Sequence, residues 1–173
     1  LQDILSDKTK PEMIDVALAA SAKLVASSHC GGVLHRDLHS GNILVSLNMQ
    51  NATLIDIRGA KVTHRSGHAS ADPYGVHRIK NLSYLIADIR HNITITQLMQ
   101  FTNHYLVSLN LLTQLDVNQK EKYFKSVTKA ADDRDHKLWV KRARRAKRNS
   151  EFAKYFKLHG QWHCTATLKS SFP

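Results

Sequence analysis

The sequence predicts a mainly α-helical chain with one small β-hairpin region, an α+β fold, and three observations carry that expectation. Long stretches repeat their apolar residues at close to a 3.6-residue period. Short apolar runs cluster between residues 33 and 57, set apart by Gly- and Asn-containing turns. Only 7 Gly and 3 Pro occur in 173 residues, with 42% hydrophobic and 23% charged, a composition for a folded, helix-rich domain and against a disordered one. At this length one compact domain is expected.

The first predicted helix runs from Pro11 to Ser28, with Ile14, Ala17, Leu18, Ser21, Leu24 and Val25 on one face and Pro11 suited to its first turn. "HCGG" stops it. The runs Val33 to Leu34, Ile43 to Val45 and Thr53 to Ile57 read as short strands, and residues 58 to 72 as a loop without apolar period. A second helix is expected from Pro73 to about Arg90, with Val76, Ile79, Leu82, Leu85, Ile86 and Ile89 facing the core. Further helices are expected over Thr96 to Leu112, Asn118 to Ala130 and Asp135 to Leu158, followed by a loose tail. The domain expectation is one unit over 1–160 and a tail over 161–173.

The net charge of +11 is uneven: residues 120 to 160 hold 14 Lys and Arg against 5 Asp and Glu. Such a field attracts nucleic acid, acidic lipid or phosphorylated sugar without choosing among them. No apolar run approaches the roughly 20 residues of a membrane span. Cys30 and Cys164 lie far apart with no CxxC spacing, so reduced structural thiols are expected, not a zinc site or a disulfide framework. The segment "LQDILSDKTKPEM" lacks the features of a signal peptide and reads as the interior of a longer protein.

Chemistry concentrates in "LHRDLHSGNILV" (residues 34 to 45) and "TLIDIRGAKV" (residues 53 to 62). Phosphoryl transfer from ATP needs a carboxylate to orient or deprotonate the acceptor hydroxyl, and oxygen ligands to hold Mg²⁺ against the phosphates. Asp37 is the candidate base, and Asn42 and Asp56 are the candidate metal ligands. A D-x4-N spacing lets one loop turn both side chains into one cleft, and a hairpin from Ile43 to Ile57 brings Asp56 back beside them. His35 and Arg36 are expected to pack and brace the loop. For His39 two readings stand, a contact with substrate or metal-bound phosphate and a plain turn role. An Asp closing a strand is commonly only a turn former; the three polar residues together at this spacing give Asp56 its functional reading.

These segments resemble the catalytic and metal-binding segments of the protein-kinase-like superfamily, whose usual pattern is H-R-D-L-x-x-x-N followed by D-F-G. Where kinases acting on protein Ser or Thr usually carry Lys, this chain has His39, and "DLHSGNIL" is similar to the loop of kinases that phosphorylate sugars, choline or aminoglycosides. Ile57, Arg58 and Gly59 follow the second Asp in place of Phe-Gly, and no A-P-E pattern closes an activation segment. With "LIDIRGAKV", "YGVHRIKNLSYL" and an Arg-rich segment ending "NSEFAKYFK", the chain looks most like the lipopolysaccharide core kinases, which phosphorylate heptose or Kdo. The resemblance implies a kinase-like C-terminal lobe, ATP and Mg²⁺ as cofactors, a glycolipid or sugar acceptor, and a cytoplasmic location with peripheral contact at the inner face of the plasma membrane. No Gly-rich phosphate loop, strand Lys or helix Glu precedes the catalytic loop, so an incomplete, N-lobe-free enzyme with little activity of its own is expected. It implies nothing about oligomeric state.

Two other readings stay open. A small-molecule or protein kinase of the same superfamily is one, with His39 against the protein acceptor. A non-catalytic basic module is the other. In "KLWVKRARRAKRNSEFAKYFK", Trp139, Ala143, Ala146, Ala153 and Phe156 recur at helical spacing and are expected to be buried, leaving Arg142, Arg144, Arg145 and Arg148 toward water. That face is either simply solvated or a contact for anionic substrate or membrane. A nucleic-acid patch lacks an accompanying recognition motif. The remaining histidines show no HExxH or paired spacing, so no metal site is expected on them.

Overall fold

The computed structural model describes residues 1–7, 11–46, 48–62, 75–111, 114–146, 153–158 and 161–166, with side chains as far as Arg144. It is mostly helical with small antiparallel sheets, the α+β class the sequence predicts. Two compact units divide between Asp132 and Asp133, well before the boundary expected at 160.

In the first unit α1 (Gln2–Ser6) precedes α2 (Pro11–Cys30), which buries Ile14, Ala17, Leu18, Ser21, Ala22, Val25 and Ala26. This is the face the period predicts. The helix stops at Gly31 and Gly32, and Gly32 takes φ 77, a conformation cheap only without a Cβ. Cys30 at the end of α2 is exposed, not a packed structural thiol. Three short strands follow, β1 (Val33–Leu34), β2 (Ile43–Val45) and β3 (Ala52–Leu54), with a 3-10 turn over Ser40–Asn42. β2 and β3 form the expected hairpin in the register Ile43 to Leu54, Leu44 to Thr53 and Val45 to Ala52.

Two details differ from expectation here. β3 ends at Leu54 instead of Ile57, because Asp56 adopts φ 50 and takes the backbone out of the extended region. Inside the stretch read as a loop, β4 (Lys61–Val62) pairs antiparallel with β1. Two residues are too few to show a period, so only the partner strand reveals it.

Next come α3 (Val76–Ile89) and α4 (Ile95–Ser108). Pro73, the expected start of α3, lies outside the described residues. The helix buries Leu82, Leu85, Ile86 and Ile89, whereas Val76 is 75% exposed in its first turn. A capping box of Thr94 and Gln97 starts α4, and Asn110 at φ 58 follows its end, four residues short of the expected Leu112. α2 packs most extensively on α4, and the core between them and α3 is filled by Leu18, Leu85, Ile86, Phe101, Tyr105 and Leu106.

The two helices expected after residue 117 are one, α5 (Val117–Ala146). Neither Gly nor Pro interrupts "TKAADDRDHK", and Ala, Asp and Lys do not break a helix that a buried turn already nucleates. α5 contributes Tyr123, Val127 and Ala131 to the first unit's core. In the second unit β5 (Ala153–Leu158) and β6 (Gln161–Ala166) pair antiparallel, where a helix end and a tail were expected. Here Tyr, Phe, Trp and Thr favour strands and the His159-Gly160 pair is turn-compatible in sequence, so local propensity overrides the helical spacing of Ala153 and Phe156. Among the described residues no helix is long and apolar enough to cross a membrane.

Candidate active site

The loop carrying Asp37 runs from β1 to the 3-10 turn, and its own polar groups shape it. His35 is buried; its Nδ1 accepts the Asp37 amide at 3.3 Å and its Nε2 lies 3.0 Å from the Ile55 carbonyl oxygen. With Nδ1 accepting, the ring carries its proton on Nε2 and donates it to Ile55. His35 thereby ties the Asp37 loop to the segment that holds Asp56. This is the bracing role its sequence position suggests.

Asn42 is 8% exposed and donates from Nδ2 to the Asp37 carbonyl oxygen at 2.9 Å. Its backbone oxygen accepts the Ile55 amide at 3.0 Å, extending the β2–β3 ladder by one bond. Asn42 therefore bridges both candidate segments, and its Oδ1 is the atom left for a ligand. Leu38, 1% exposed, anchors the loop in the core and leaves the Asp37 side chain 71% exposed beside it.

His39 sits close to Asp37, with Nε2 3.6 Å from Oδ2. Its Nδ1 accepts the Gly41 amide at 3.1 Å, so a neutral ring points an N–H at the Asp37 carboxylate. The distance is an ion-pair distance, longer than a hydrogen bond. His39 has the turn role weighed for it, capping the 3-10 turn, and its Nε2 also faces the candidate base.

Asp56 stands in the left-handed region at φ 50, which Asp tolerates better than most residues. Its Oδ1 accepts from Arg58 Nε at 2.9 Å, a pair exposed enough to contribute at most about 1 kcal/mol. Arg36, also expected to brace the loop, makes no side-chain hydrogen bond or ion pair among the described residues. Its side chain is exposed and lines a cleft with residues of β4 and α3.

α3 holds the loop at both ends. Asn81 Nδ2 donates to the His35 carbonyl oxygen at 2.5 Å, and Asp88 Oδ2 accepts the Ser40 amide at 2.7 Å. Residues seven apart share one helix face, so two side chains of one rigid rod span the loop that carries Asp37. Nothing local in the sequence marks Asp88 for this contact. Behind Asn81 lies His29, 2% exposed, with Nε2 3.0 Å from Asn81 Oδ1 and Nδ1 2.7 Å from the Tyr105 hydroxyl. The Tyr105 and His29 rings meet edge to face at 5.7 Å. A hydrogen-bonded path thus runs from α4 through α2 and α3 to the loop. Asn81 and His29 betray themselves in sequence only as polar residues on apolar helical stripes.

Burial pushes His29 down to about 4, against the pull of its bond to Asn81, and the Arg78 guanidinium pushes the same way as burial. Burial also raises the Tyr105 hydroxyl well above its ordinary value. The folded state therefore holds His29 neutral, whereas the unfolded chain protonates it below about 6.5. Stability from this group is full above that pH and falls as pH drops from about 6.5 to about 4, by up to about 3 kcal/mol. Urea unfolding at pH 7.5 and 4.5 should show the loss, and His29→Gln should flatten it. An unchanged pH slope in that variant would contradict the assignment. Arg78 donates from Nη2 to the His29 carbonyl oxygen at 3.4 Å.

The donor chemistry fits Mg²⁺. One amide oxygen and one carboxylate are hard ligands, and Mg²⁺ commonly takes one or two protein oxygens and completes its shell with phosphate and water. Asn42 satisfies this because its Nδ2 is already committed and its oxygen is not. No cluster of three or more His, Cys, Asp or Glu side chains suited to a metal occurs among the described residues.

On the second unit's part of α5, Arg142 and Arg144 are exposed as expected, while the side chains of Arg145 and Arg148 lie outside the described residues. Trp139 is 65% exposed, not buried on an apolar stripe, since the last buried residue described in α5 is Ala131. Comparisons of the chain with protein-family models, with curated proteins and with solved structures find no match in any of the three.

Proposed function

We propose that the chain forms the C-terminal lobe of an ATP- and Mg²⁺-dependent kinase that phosphorylates a sugar hydroxyl, in the inner core of lipopolysaccharide. The observation that carries this reading is the bridge made by Asn42. One buried side chain turns the Asp37 backbone, and the same residue's carbonyl receives the strand end that leads to Asp56. A base and two metal ligands thereby issue from one braced junction.

In this reading Asp37 accepts or orients the hydroxyl proton as the acceptor oxygen attacks the γ-phosphorus and the bond to ADP breaks. Asn42 and Asp56 would hold Mg²⁺, which neutralises charge on the transferring phosphate. His39 keeps the Asp37 carboxylate turned outward, and its imidazole in place of a lysine favours a sugar-like acceptor over a protein one. A small-molecule or protein acceptor within the same superfamily is the competing enzyme reading. The test is transfer of the γ-phosphate of ATP to heptose- or Kdo-containing acceptor, measured for the chain alone and for the protein encoded by its whole reading frame. Failure of both to transfer, with nucleotide binding absent, would sink the reading.

A membrane-facing role for α5 draws support from the exposed Lys137, Lys141, Arg142 and Arg144. Each cation near an anionic bilayer is worth about 1 kcal/mol. Arg142→Gln with Arg144→Gln should weaken binding to phosphatidylglycerol vesicles by about ten-fold or more at low salt, with no change on neutral vesicles. Binding of equal strength in the variant would exclude this face.

A further inference from the structure

We infer that Gln2 is a specificity-determining residue for the acceptor, holding a sugar hydroxyl near the one that reacts at Asp37. This rests on the sugar-kinase reading. The observation behind it is the surface of Gly41, where two side chains far apart in sequence converge. A Cβ placed on Gly41 would lie 3.0 Å from Gln2 Oε1, 3.0 Å from His39 Cε1 and 3.1 Å from His39 Nδ1. The bare glycine is therefore the floor on which an amide and an imidazole rest side by side. His39 in turn has Nε2 3.6 Å from Asp37 Oδ2, so it is the common neighbour of the amide and the candidate base.

Both sides of this surface are held in place. The Leu1 main-chain nitrogen donates to the Ile43 carbonyl oxygen at 2.7 Å, which ties the start of α1 to β2. Leu1 and Leu5, four residues apart on one face, are buried and anchor α1 in the core. Gln2 lies off that face and is exposed, and its side chain makes no hydrogen bond among the described residues. On the loop side the Gly41 amide donates to His39 Nδ1 at 3.1 Å, which keeps the ring over the glycine.

The chemistry points to a neutral polyol. A primary amide carries two N–H donors and an oxygen with two lone pairs, without charge, and each sugar hydroxyl both donates and accepts. With one hydroxyl at Asp37, another on the same ring reaches Gln2 across His39. A site that hydrogen-bonds a hydroxyl rejects an acceptor that lacks it, because the protein group is left unpaired. Gln2 thereby decides which hydroxyl of the ring is presented to the base.

The test is steady-state kinetics of phosphate transfer by the protein encoded by the whole reading frame, with the sugar acceptor and its monodeoxy analogues. Gln2→Ala should raise KM for the acceptor by about ten-fold, the scale of one or two neutral hydrogen bonds, with kcat and KM for ATP little changed. One monodeoxy acceptor should show a similar rise with the parent protein and no further rise with the variant, the coupling of a direct contact. Gly41→Ala should raise the same KM, because its methyl group takes space that the amide and the ring share. Gln100→Ala removes an exposed amide from α4 and should leave each constant as it was. An unchanged acceptor KM in Gln2→Ala, or a rise of equal factor on every monodeoxy acceptor, would overturn the contact while Asp37-dependent transfer still stands. Absence of transfer by the parent protein is the separate failure, that of the kinase reading, and the role of Gln2 falls with it.

Discussion

Asp37→Ala is expected to lower ATP-dependent phosphate transfer by about 10²–10⁴-fold, the range for removal of a positioned general base. The fold should survive. The Asp37 side chain is 71% exposed and its one ion-pair contact among the described residues, to His39 at 3.6 Å, lies at the surface, while the loop is held by backbone groups that alanine retains. Melting temperature and far-ultraviolet circular dichroism should therefore match the parent protein. Asp56→Asn is the paired variant. Asparagine accepts the φ of 50 about as readily as aspartate, so shape is kept and charge is lost. Transfer should fall by a similar factor, with a raised Mg²⁺ requirement that Asp37→Ala does not show. Undiminished transfer in both variants would remove the proposed roles.

Asn81→Leu should have the largest effect on stability among the residues around the loop. It leaves the His35 carbonyl oxygen and the His29 ring N–H without their partner in a buried setting. Each unpaired buried group costs about 1–3 kcal/mol, so a loss of about 2–5 kcal/mol is expected in urea unfolding. Activity should fall as well, because the loop end at His35 is released. As a positioning residue, Asn81 should lower kcat with KM for ATP little changed, under conditions where the variant is folded. Asp88→Ala frees the other loop end. It should cost less stability, since Asp88 is itself exposed, and yet reduce kcat in the same way. A variant at Asn81 with the parent's stability and kcat would contradict the bracing by α3.

Much of this fold is legible in the sequence where burial and period coincide. Ile14, Ala17, Leu18 and Val25 in α2, and Leu82, Leu85, Ile86 and Ile89 in α3, mark faces that are in fact buried. The hairpin of β2 and β3 is legible from short apolar runs around a turn. β4 is not, because its two residues are strand only through pairing with β1. The break expected near Asp132 did not materialise, as acidic residues do not end a helix. At the C-terminus, alternating β-formers around His159-Gly160 outweigh a spacing that also fits a helix.

At the candidate site, the roles proposed for Asp37, Asn42 and Asp56 follow from residue type and spacing, whereas what holds them does not. His35 is bonded to Ile55 twenty residues away, and Asn81 and Asp88 reach the loop from a helix more than forty residues on. Such partners have no local signature. Arg36 illustrates the reverse, a residue whose motif position suggests bracing and whose side chain instead turns into a cationic cleft.

The most direct measurement is phosphorus NMR of a reaction containing ATP, Mg²⁺, a deacylated inner-core oligosaccharide and the protein encoded by the whole reading frame. A kinase built on Asp37 should produce ADP and one new phosphomonoester resonance on the sugar, absent with Asp37→Ala and with Asp56→Asn. No phosphomonoester from the parent protein, or the same resonance from both variants, would contradict the assignment.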